Sequence, residues 1–565
     1  MPLNALLSWS RYNEDYTFVT GGWKRASGER IIAQPSPESS LAFYNRVIGD
    51  HKDVIGALEC TGKTSTACFL AGSSVDISLS LSLSLSRARA RVCVRACVRV
   101  CVCVCVCVCV CGFVWLSLAG GFEIDFLWFT ALIFDEFRHS VSSLFRWAEG
   151  MNDAAFSHGI SIQYCMDLPS FALASMEFGA VTNARASDDN FPWGEDGAPR
   201  HYRWKIAYGA LLYNAVGLQP FMDVIWTRAE QPQNIANQGK YAERTNIDLQ
   251  ATVAALASGP VGIGDGPGYT DKSVAMKFCS ADGTLLHPSV AATPLDKMFH
   301  RSLRPEGATA ELWSAPSEIP ALRAKPGEET ATGPAPPMVW WTVLAVDIGQ
   351  PFPLEVTDLV PPPTPAAAIS AKMAADRELI AWRLGDTACV DEKDASACVS
   401  ALSSTSPLLI HTGIPATKGC EGHATDPTGC FVEHNHSTWS IGPVCSVGAD
   451  VGGDHNSDYP KPDAVALLGE LHKYVAVSPD RLSAASCQAT NYTDGASTSS
   501  INATPGMKLH VELRGAPGES VELLYMRRCA GSTQLTVINA TVDELGKAVA
   551  VCDACGTSLE CAQAS

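Results

Sequence analysis

The chain has 565 residues and a net charge of −18, a length that suits two to four domains of about 150 residues each. Hydrophobic residues make up 47% and charged residues 18% of the sequence, which excludes a mainly disordered protein. The sequence has no long basic run outside one repetitive segment. A nucleic-acid partner is therefore not expected, because binding its backbone requires clustered Lys and Arg.

Residues 1–57 precede the repetitive segment. The opening "MPLNALLSWSRYNEDY" has no basic start and no sustained apolar core, so no secretory signal peptide is predicted in this chain. "DYTFVTGGW" is typical of a strand. Pro35–Asp53 has a Ser N-cap signal and apolar residues at helical spacing, which predicts a helix.

Residues 58–119 contain Leu-Ser, Arg-Ala and Val-Cys repeats in succession. Val-Cys alternation would make both faces of a strand apolar and leave an aggregating edge. TC, CG and TG dinucleotide repeats encode these three dipeptides, so one degenerating DNA tract explains all of them. We interpret this insert as a translated intron, which sequencing of the spliced transcript would test. The alternatives are a membrane span at residues 100–119, which carry no charge, and a functional cysteine tract.

Residues 120–304 alternate strand and helix patterns with short links. Strand candidates are "FEIDFLWF", "ISIQYCMDLP", "AVTNARASDDN", "PFMDVIWT" and "PVGIGDGPGY", and helical patterns lie between them. Such alternation predicts parallel βα units. The number of units and the acids at strand ends favour an incomplete TIM-type (β/α) barrel over an open sheet. The expected fold class is therefore α/β.

The pattern changes after residue 305. Pro-rich links separate alternating strand candidates such as "VWWTVLAVDI", "KLHVELRG" and "SVELLYMRRC". This pattern predicts an antiparallel β-rich domain over residues 305–475 and a C-terminal β-sandwich-like domain over residues 476–565.

Carboxylates at the predicted strand ends are the candidate chemical groups. An acid inside an apolar strand, such as Asp125, is costly to bury without a partner or a use. Salt bridging or loop capping is the alternative role for each acid. Trp side chains nearby are candidates for stacking on sugar rings, although Trp is usually a core residue. The acids are Glu123, Asp125, Asp167, Asp188, Asp189 and Asp265, and the tryptophans are Trp128, Trp193, Trp204 and Trp226.

Other chemistries have weaker signals. The sequence has no G-x-S-x-G, H-E-x-x-H or Walker motif. "GIGDGPG" is Gly-rich, but it falls late in the chain and not in a first βα unit, as a dinucleotide fingerprint would. "HNHSTW" and "GGDHNSD" lack helical ligand spacing. We therefore predict neither a metal nor a cofactor.

Ten of the 22 cysteines lie from Cys389 onward. The spacings Cys389/Cys398, Cys420/Cys430 and Cys552/Cys555/Cys561 are typical of disulfides in an oxidising compartment. Four N-x-S/T sequons, at Asn435, Asn491, Asn502 and Asn539, occur in the same half of the chain. Together these features predict a secreted or secretory-pathway protein.

Several of these segments resemble the α-galactosidase and raffinose-synthase-like glycoside hydrolases, and more closely a poorly characterised eukaryotic branch of that clan. The segments are "FEIDFLWF", "ISIQYCM", "ARASDD", "GPVGIGDGPGYTD", "DGTLLHPSVAATPLD" and "WWTVLAVDI". The resemblance covers Pro35–Asp53 and Phe122–Asp358, with a weaker match at Ala466–Arg481. It implies a TIM-type barrel, β-sandwich domains and retaining action on α-linked sugars.

The resemblance also assigns roles to residues. It implies that Asp125 is the nucleophile and that Asp188 or Asp189 is the acid/base, the motif not deciding between these two. The carboxyl groups of a retaining pair would lie about 5 Å apart. Arg185 would be the accompanying cationic residue and Asp265 would lie at the pocket rim. Trp128 and Trp193 complete the predicted substrate-binding set.

The chain departs from the family pattern before "FEIDF". Three strands are expected there, but only the 57 residues before the insert can supply them, so the barrel is expected to be truncated. A barrel that lacks strands exposes a sheet edge and loses its closed core. The alternative to a glycosidase is therefore a catalytically inactive secreted glycoprotein with a carbohydrate-binding or purely structural role.

Overall fold

The computed structural model describes most of the chain after residue 120 and three short strands before it. The described residues are 16–19, 22–25, 30–31, 121–187 without 126 and 134, 204–228, 231, 246–302, 310–322, 335–368, 371, 378–413 without 391 and 393, 416–418, 431–446, 463–490, 506–555 and 562–563. The insert at 58–119 lies outside them. The chain forms two compact units. Unit 1 comprises Met1–Asn190, Leu212–Glu243 and Pro260–Thr270, and unit 2 comprises Phe191–Leu211, Arg244–Gly259 and Asp271–Ser565.

Unit 1 combines short strands with helices. Its strands are β1 (Tyr16–Val19), β2 (Gly22–Arg25), β3 (Arg30–Ile31), β4 (Gly121–Ile124), β5 (Ser161–Tyr164), β6 (Val181–Arg185) and β7 (Gln219–Phe221). Its helices are α1 (Leu127–Ile133), α2 (Asp135–His139), α3 (Val141–Ser157) and α4 (Pro169–Ala174), followed by a 3₁₀ turn at Ser175–Glu177. The boundary between the units at residues 211 and 212 falls within α5 (Ala207–Ala215).

Helix α3 has recognisable start and stop residues. The Ser140 side chain accepts a hydrogen bond from the Ser143 N–H at 3.3 Å, which caps the first turn. Gly159 has φ +66°, a left-handed conformation that ends the helix at low cost because glycine has no Cβ. The helical pattern predicted between the strand candidates "FEIDFLWF" and "ISIQYCMDLP" is therefore confirmed.

The aromatic segment "FEIDFLWF" is shorter as a strand than we predicted. Strand β4 ends at Ile124, and Leu127 and Trp128 already belong to α1. The backbone N–H of Trp128 donates to the Met166 carbonyl at 2.8 Å, which ties the start of α1 to the loop after β5. The aromatic residues of this segment thus belong partly to strand β4 and partly to helix α1.

The predicted TIM-type barrel is wrong. Strands β4, β5, β6 and β7 form one parallel sheet in that order. Past β7, the described residues continue the parallel pairing only as a single bridge between Ile225 and Ile263. A barrel requires every strand to have two neighbours, whereas β4 has one strand partner in the described part of the sheet. The βα alternation correctly predicted parallel pairing, but that local pattern does not determine whether a sheet closes.

One face of this parallel sheet is apolar. Ile124, Ile162, Tyr164 and Ala184 are buried there. Their core also contains apolar residues of α1, α3, α4 and the end of α5, including Leu127, Trp147, Met151, Phe171, Leu212 and Tyr213. Connections between parallel strands place helices on the faces of the sheet, and here they cover the apolar face.

Unit 2 is mainly antiparallel β-structure. Its described residues include the helices α6 (Ile247–Leu256), α7 (Lys272–Ala275) and α8 (Asp296–Ser302). The strands are β8 (Thr293–Pro294), β9 (Glu311–Ile319), β10 (Met338–Val346), β11 (Phe352–Leu354), β12 (Leu379–Arg383), β13 (Val399–Leu402), β14 (Leu408–Ile410), β15 (Ala416–Lys418), β16 (Phe431–Glu433), β17 (His436–Pro443), β18 (Cys445–Ser446), β19 (Ala464–Glu470), β20 (Leu482–Thr490), β21 (Gly506–Arg514), β22 (Ser520–Cys529), β23 (Ser532–Thr541), β24 (Lys547–Asp553) and β25 (Ala562–Gln563).

Three larger sheets organise unit 2. The first has six strands in the order β13-β12-β17-β10-β9-β8. The second has the order β18-β19-β22-β23 and the third β20-β21-β24-β25. The second and third sheets share one buried core, to which Leu467, Leu509, Leu523 and Ala550 contribute. These two sheets form a β-sandwich, as predicted for the C-terminal part of the chain, but its strands β18 and β19 lie before the predicted start at residue 476.

Among the described residues, two disulfides join the sheets of this β-sandwich. Cys445 in β18 is bonded to Cys487 in β20, and Cys529 at the end of β22 is bonded to Cys555 just after β24. A third disulfide, Cys389–Cys398, closes a short loop after β12. The predicted Cys389/Cys398 pair is therefore confirmed. The predicted Cys420/Cys430 pair lies outside the described residues.

We expect the two-sheet disulfide Cys445–Cys487 to stabilise unit 2 more than the loop disulfide Cys389–Cys398. It spans 42 residues, against nine for the loop. Replacing both cysteines of the pair by Ala should cost about 4 kcal/mol for the long loop and about 2.5 kcal/mol for the short one, because the entropy of loop closure grows with loop length. Urea unfolding of the two double variants and the parent measures the difference. Equal losses would contradict this order.

Candidate functional site

Side-chain alternation gives the parallel sheet a second, polar face. Strands have a period of two, so Glu123 and Asp125 point away from the face on which Ile124 is buried. The register places Glu123 beside Gln163 in β5 and Gln163 beside Asn183 in β6. Asn183 is in turn beside Gln219 in β7. A continuous row of polar side chains therefore crosses the sheet on this face.

Charged groups gather at the carboxyl ends of the four strands. Because the strands are parallel, these ends lie at one edge of the sheet. We call this group the strand-end cluster: Glu123, Asp125, Cys165, Asp167, Arg185, Tyr213 and Asp223. All of these residues belong to unit 1. Open α/β sheets bind their ligands outside the carboxyl ends of the strands, so this cluster is the candidate functional site.

Arg185 supplies the positive charge of the cluster. The side chain is buried at the end of β6, and its Nη1 lies 3.6 Å from Asp223 Oδ2. The Asp223 N–H donates to Ser187 Oγ at 2.8 Å, which fixes the segment after β7 against the segment after β6. A buried guanidinium requires negative charge close by, and the cluster provides it.

The Cys165 thiol lies between two carboxylates. It is within hydrogen-bonding reach of both Glu123 and Asp125, and Cys165 itself is buried and forms no disulfide. Burial raises the pKa of this thiol far above its ordinary value, with a smaller raising effect from the two carboxylates. Cys165 is therefore a neutral S–H donor in the cluster and not a thiolate nucleophile.

Glu123 has a strongly altered acidity. Burial raises the pKa of its carboxyl group to about 7, and the negative charges of Asp125 and Asp223 act in the same direction. The Cys165 hydrogen bond and the Arg185 charge oppose this shift but do not cancel it. A carboxyl group that titrates near neutral pH is suited to acid–base chemistry.

Asp167 forms a second perturbed pair with Tyr213. The Tyr213 hydroxyl, on α5, donates to Asp167 Oδ1 at 2.7 Å. Burial raises the pKa of Asp167 to about 6, although the hydrogen bond from Tyr213 and the Arg185 charge lower it. Burial and the Asp167 charge both raise the pKa of Tyr213, so the phenol remains a hydrogen-bond donor.

The backbone next to Asp167 is strained. Met166 has φ +51°, a left-handed conformation that a residue with a long side chain rarely adopts. Its carbonyl accepts the hydrogen bond from the Trp128 N–H described above. Strain of this kind persists where surrounding contacts enforce it, and it is concentrated at functional sites.

Asp265 is buried. Its Oδ1 accepts hydrogen bonds from the Thr227 N–H at 2.9 Å and from Gln231 Nε2 at 2.6 Å, and its Oδ2 accepts one from the Thr227 hydroxyl. Gln231 Oε1 in turn accepts from the Gly266 N–H at 2.8 Å. These bonds lock the segment after Ile225 to the Gly-rich segment, which is a positioning arrangement.

The Gly-rich segment is shaped by close packing. A Cβ added to Gly264 would lie 2.7 Å from Val224 Cγ2, a distance that real Cβ atoms do not tolerate. Glycine is thus required there because the two segments joined by the Ile225–Ile263 bridge approach closely. Close packing thus explains Gly264 without a phosphate ligand.

The structure brings Asp125 and Arg185 of the predicted site into one cluster. Trp128 lies in the first turn of α1 with 40% of its surface exposed. Asp188, Asp189 and Trp193 lie outside the described residues. The predicted separation of about 5 Å between Asp125 and the acid/base therefore remains a prediction.

Three members of the cluster were not predicted from the sequence. Asp223 follows β7 by two residues, so the strand-end rule that selected Asp167 would also have selected it. Cys165 and Tyr213 carried no sequence signal. From the sequence alone, a lone Cys after a strand and a Tyr inside a helical pattern cannot be distinguished from ordinary core residues. Only the strand register shows which groups they face.

The cluster can supply a carboxylate nucleophile, a carboxyl group that titrates near neutrality and a fixed cation. Metal ligation has no comparable support in the described part of the chain. There, the group of potential ligands found close together is Asp463 with Cys529 and Cys555, and these two cysteines are consumed in a disulfide.

Neither protein-family models nor curated proteins match this chain. Within the described residues, no helix is both long and apolar enough to cross a membrane. The disulfides fit an extracellular or secretory compartment.

We expect Glu123→Gln to change how stability depends on pH. A carboxyl group whose pKa is raised from 4.5 to about 7 by folding binds its proton more tightly in the folded state. The parent should therefore lose stability as pH rises from 4.5 to 7, by up to about 3 kcal/mol from this group. The glutamine variant lacks that loss. Urea unfolding at several pH values should show the stability of the variant, relative to the parent, increasing across this window; a constant difference would contradict the prediction.

Proposed function

We propose that this protein is a retaining glycoside hydrolase-like enzyme that acts on α-linked, α-galactoside-type sugars, with Asp125 as its nucleophile. The observation that carries the proposal is the position of Asp125, which directly follows β4 at the carboxyl edge of the sheet among Glu123, Cys165 and Arg185. The sequence resemblance independently selects the same residue.

The proposed reaction has two steps. A carboxylate oxygen of Asp125 bonds to the anomeric carbon while the glycosidic C–O bond breaks and the leaving oxygen takes a proton from Asp188 or Asp189. Water then attacks the glycosyl-enzyme, gives its proton back to that acid/base, and releases Asp125. If a sugar hydroxyl attacks the glycosyl-enzyme in place of water, the glycosyl group is transferred to that sugar.

The charge distribution of the strand-end cluster supports this chemistry. Among the described residues, the four carboxyl groups of Glu123, Asp125, Asp167 and Asp223 lie there with the Arg185 guanidinium. The transition state of glycoside cleavage carries positive charge on the sugar ring. A preorganised excess of carboxylates stabilises such a charge without reorganisation.

A catalytically inactive secreted glycoprotein is the second candidate, and one observation favours its glycoprotein part. Asn539 of the sequon Asn539-Ala-Thr541 is exposed on β23, the outer strand of the second sheet, and Thr541 at the strand end is exposed as well. We propose that Asn539 carries a glycan and that the chain passes through the secretory pathway.

Asp125→Asn tests the enzymatic proposal. The parent should cleave a chromogenic α-galactoside, and the variant should lose at least about a thousandfold in kcat because an amide is a poor nucleophile. Asp153→Asn, at an exposed position on α3, is the matched control and should retain activity. Mass spectrometry after treatment with a 2-fluoro α-galactosyl substrate should locate the trapped sugar on Asp125. A parent that cleaves no α-glycoside would refute this function.

Asn539→Gln tests the glycan. Expressed in a eukaryotic secretory host, the parent should lose mass on treatment with peptide-N-glycosidase, and this variant should lose one glycan fewer. Thr541→Ser is the matched control, because Asn-Ala-Ser remains a sequon. An unchanged glycan count in Asn539→Gln would show that this position is not modified.

A further inference from the structure

A loop closed by a disulfide lies against the outer edge of β23. Among the described strands of the second sheet, β22 is the neighbour of β23. At the other edge of β23, Leu535 forms a parallel bridge with Val390. The Thr533 carbonyl accepts a hydrogen bond there from the Ala395 N–H at 2.8 Å. Both loop residues lie within the segment closed by the Cys389–Cys398 disulfide, which we call the cover loop.

Apolar contacts hold the cover loop in the same place. Ala395 is completely buried and Val390 is partly buried. Both pack in one hydrophobic cluster with Leu535 of β23 and apolar residues of β22. The two cysteines of the loop disulfide also pack against this cluster. The cover loop therefore shields the first part of the β23 edge from other strands.

The edge beneath the cover loop has the properties of a strand that pairs readily. Because the backbone groups of successive residues alternate between the two edges of a strand, those of Leu535 and Val537 face the same side as the Thr533 carbonyl. Strand β23, with the sequence "STQLTVINAT", contains no charged residue, proline or glycine. Uncharged, β-forming segments of this kind pair with other chains when their backbone groups are uncovered.

The disulfide makes opening of the cover loop dependent on reduction. Both cysteines are partly exposed, so a dithiol reductant can attack one of their sulfur atoms and form a mixed disulfide. The second thiol of the reductant then displaces the protein sulfur, so that Cys389 and Cys398 become thiols and the reductant becomes a disulfide. The bond closes a sequence separation of nine residues. Loss of this constraint raises the equilibrium constant for opening of the loop by about fifty- to hundredfold.

We propose that the cover loop is a redox-dependent guard of the β23 edge, and that reduction of Cys389–Cys398 lets two copies of this chain pair through β23. Two identical strands can pair antiparallel about a twofold axis, because the same surface then meets itself. A second copy is thus the partner that fits this edge. The inference does not rest on the proposed glycosidase function. The glycan proposed at Asn539 lies on the same strand and would hinder the pairing, so the tests are made in its absence.

Sedimentation velocity of the full chain tests the pairing. Every chain in the test, including the reference chain, carries Asn539→Gln. The double variant Cys389→Ser/Cys398→Ser should form a species of twice the monomer mass, and the fraction of this species should rise with protein concentration. The reference chain, which keeps the loop disulfide, should not form it. The same mass distribution in both chains would overturn the inference.

Two further substitutions in the double variant test whether the β23 edge is the contact. Val537→Lys should abolish the dimer, because a lysine on an edge strand opposes edge-to-edge pairing. Leu545→Lys is the matched control, since it places the same charge on a leucine that is 82% exposed just after β23, and it should leave the dimer intact. A dimer that persists in Val537→Lys, or that is lost in Leu545→Lys, contradicts pairing through β23.

Hydrogen exchange measures release of the cover loop directly and needs no substitution in β23. At a protein concentration where the double variant is monomeric, the Ala395 amide, which donates to Thr533, should exchange at least about tenfold faster than in the reference chain. The amides of β22 that pair with β23 should exchange at the same rate in both chains. An unchanged rate at Ala395 would show that the loop stays docked without its disulfide, and the redox-dependent guard would then be refuted.

Discussion

Parallel pairing of β4 to β7 is the constraint on which the candidate site depends. Because the four strands run the same way and in sequential order, their carboxyl ends meet at one edge. This brings together Asp125, Cys165, Arg185 and Asp223, although the first and the last of them are almost 100 residues apart in the chain. The positive charge of the buried Arg185 guanidinium lowers the pKa of the carboxyl groups of Glu123 and Asp167. The pairing and the charge are interdependent, since neither a lone buried cation nor a lone carboxyl cluster would be stable.

The two faces of that sheet have different roles. The apolar face, with Ile162 and Tyr164, packs on the helices and supplies the core of unit 1. The opposite face carries the polar row that begins at Glu123 and ends at Gln219. Glu123 and Asp167 are nevertheless desolvated by their own burial, and this raises the pKa of both carboxyl groups.

Much of the secondary structure follows from local sequence. The Ser140 cap, the left-handed Gly159 and the period-two strands are signals carried by a few adjacent residues, and the β-sandwich likewise follows from its alternating strands. Barrel closure was predicted wrongly because it depends on pairing between distant strands, which no local pattern encodes. Asp125 was predicted as a strand-end acid, whereas Arg185 was predicted only from the family resemblance. Cys165 and Tyr213 were not, because their role depends on which strand and helix lie next to them.

The order of strand pairing also bears on how the chain acquires its structure. In the parallel sheet each strand pairs with the one made just before it, so the sheet can grow by one βα unit at a time as the chain leaves the ribosome. The sandwich is different, because β19 pairs with β22 only after β20 and β21 have been synthesised. Such long-range pairing is slow. Cys445 and Cys529 therefore remain reduced until the strands of both sheets of the sandwich have been synthesised.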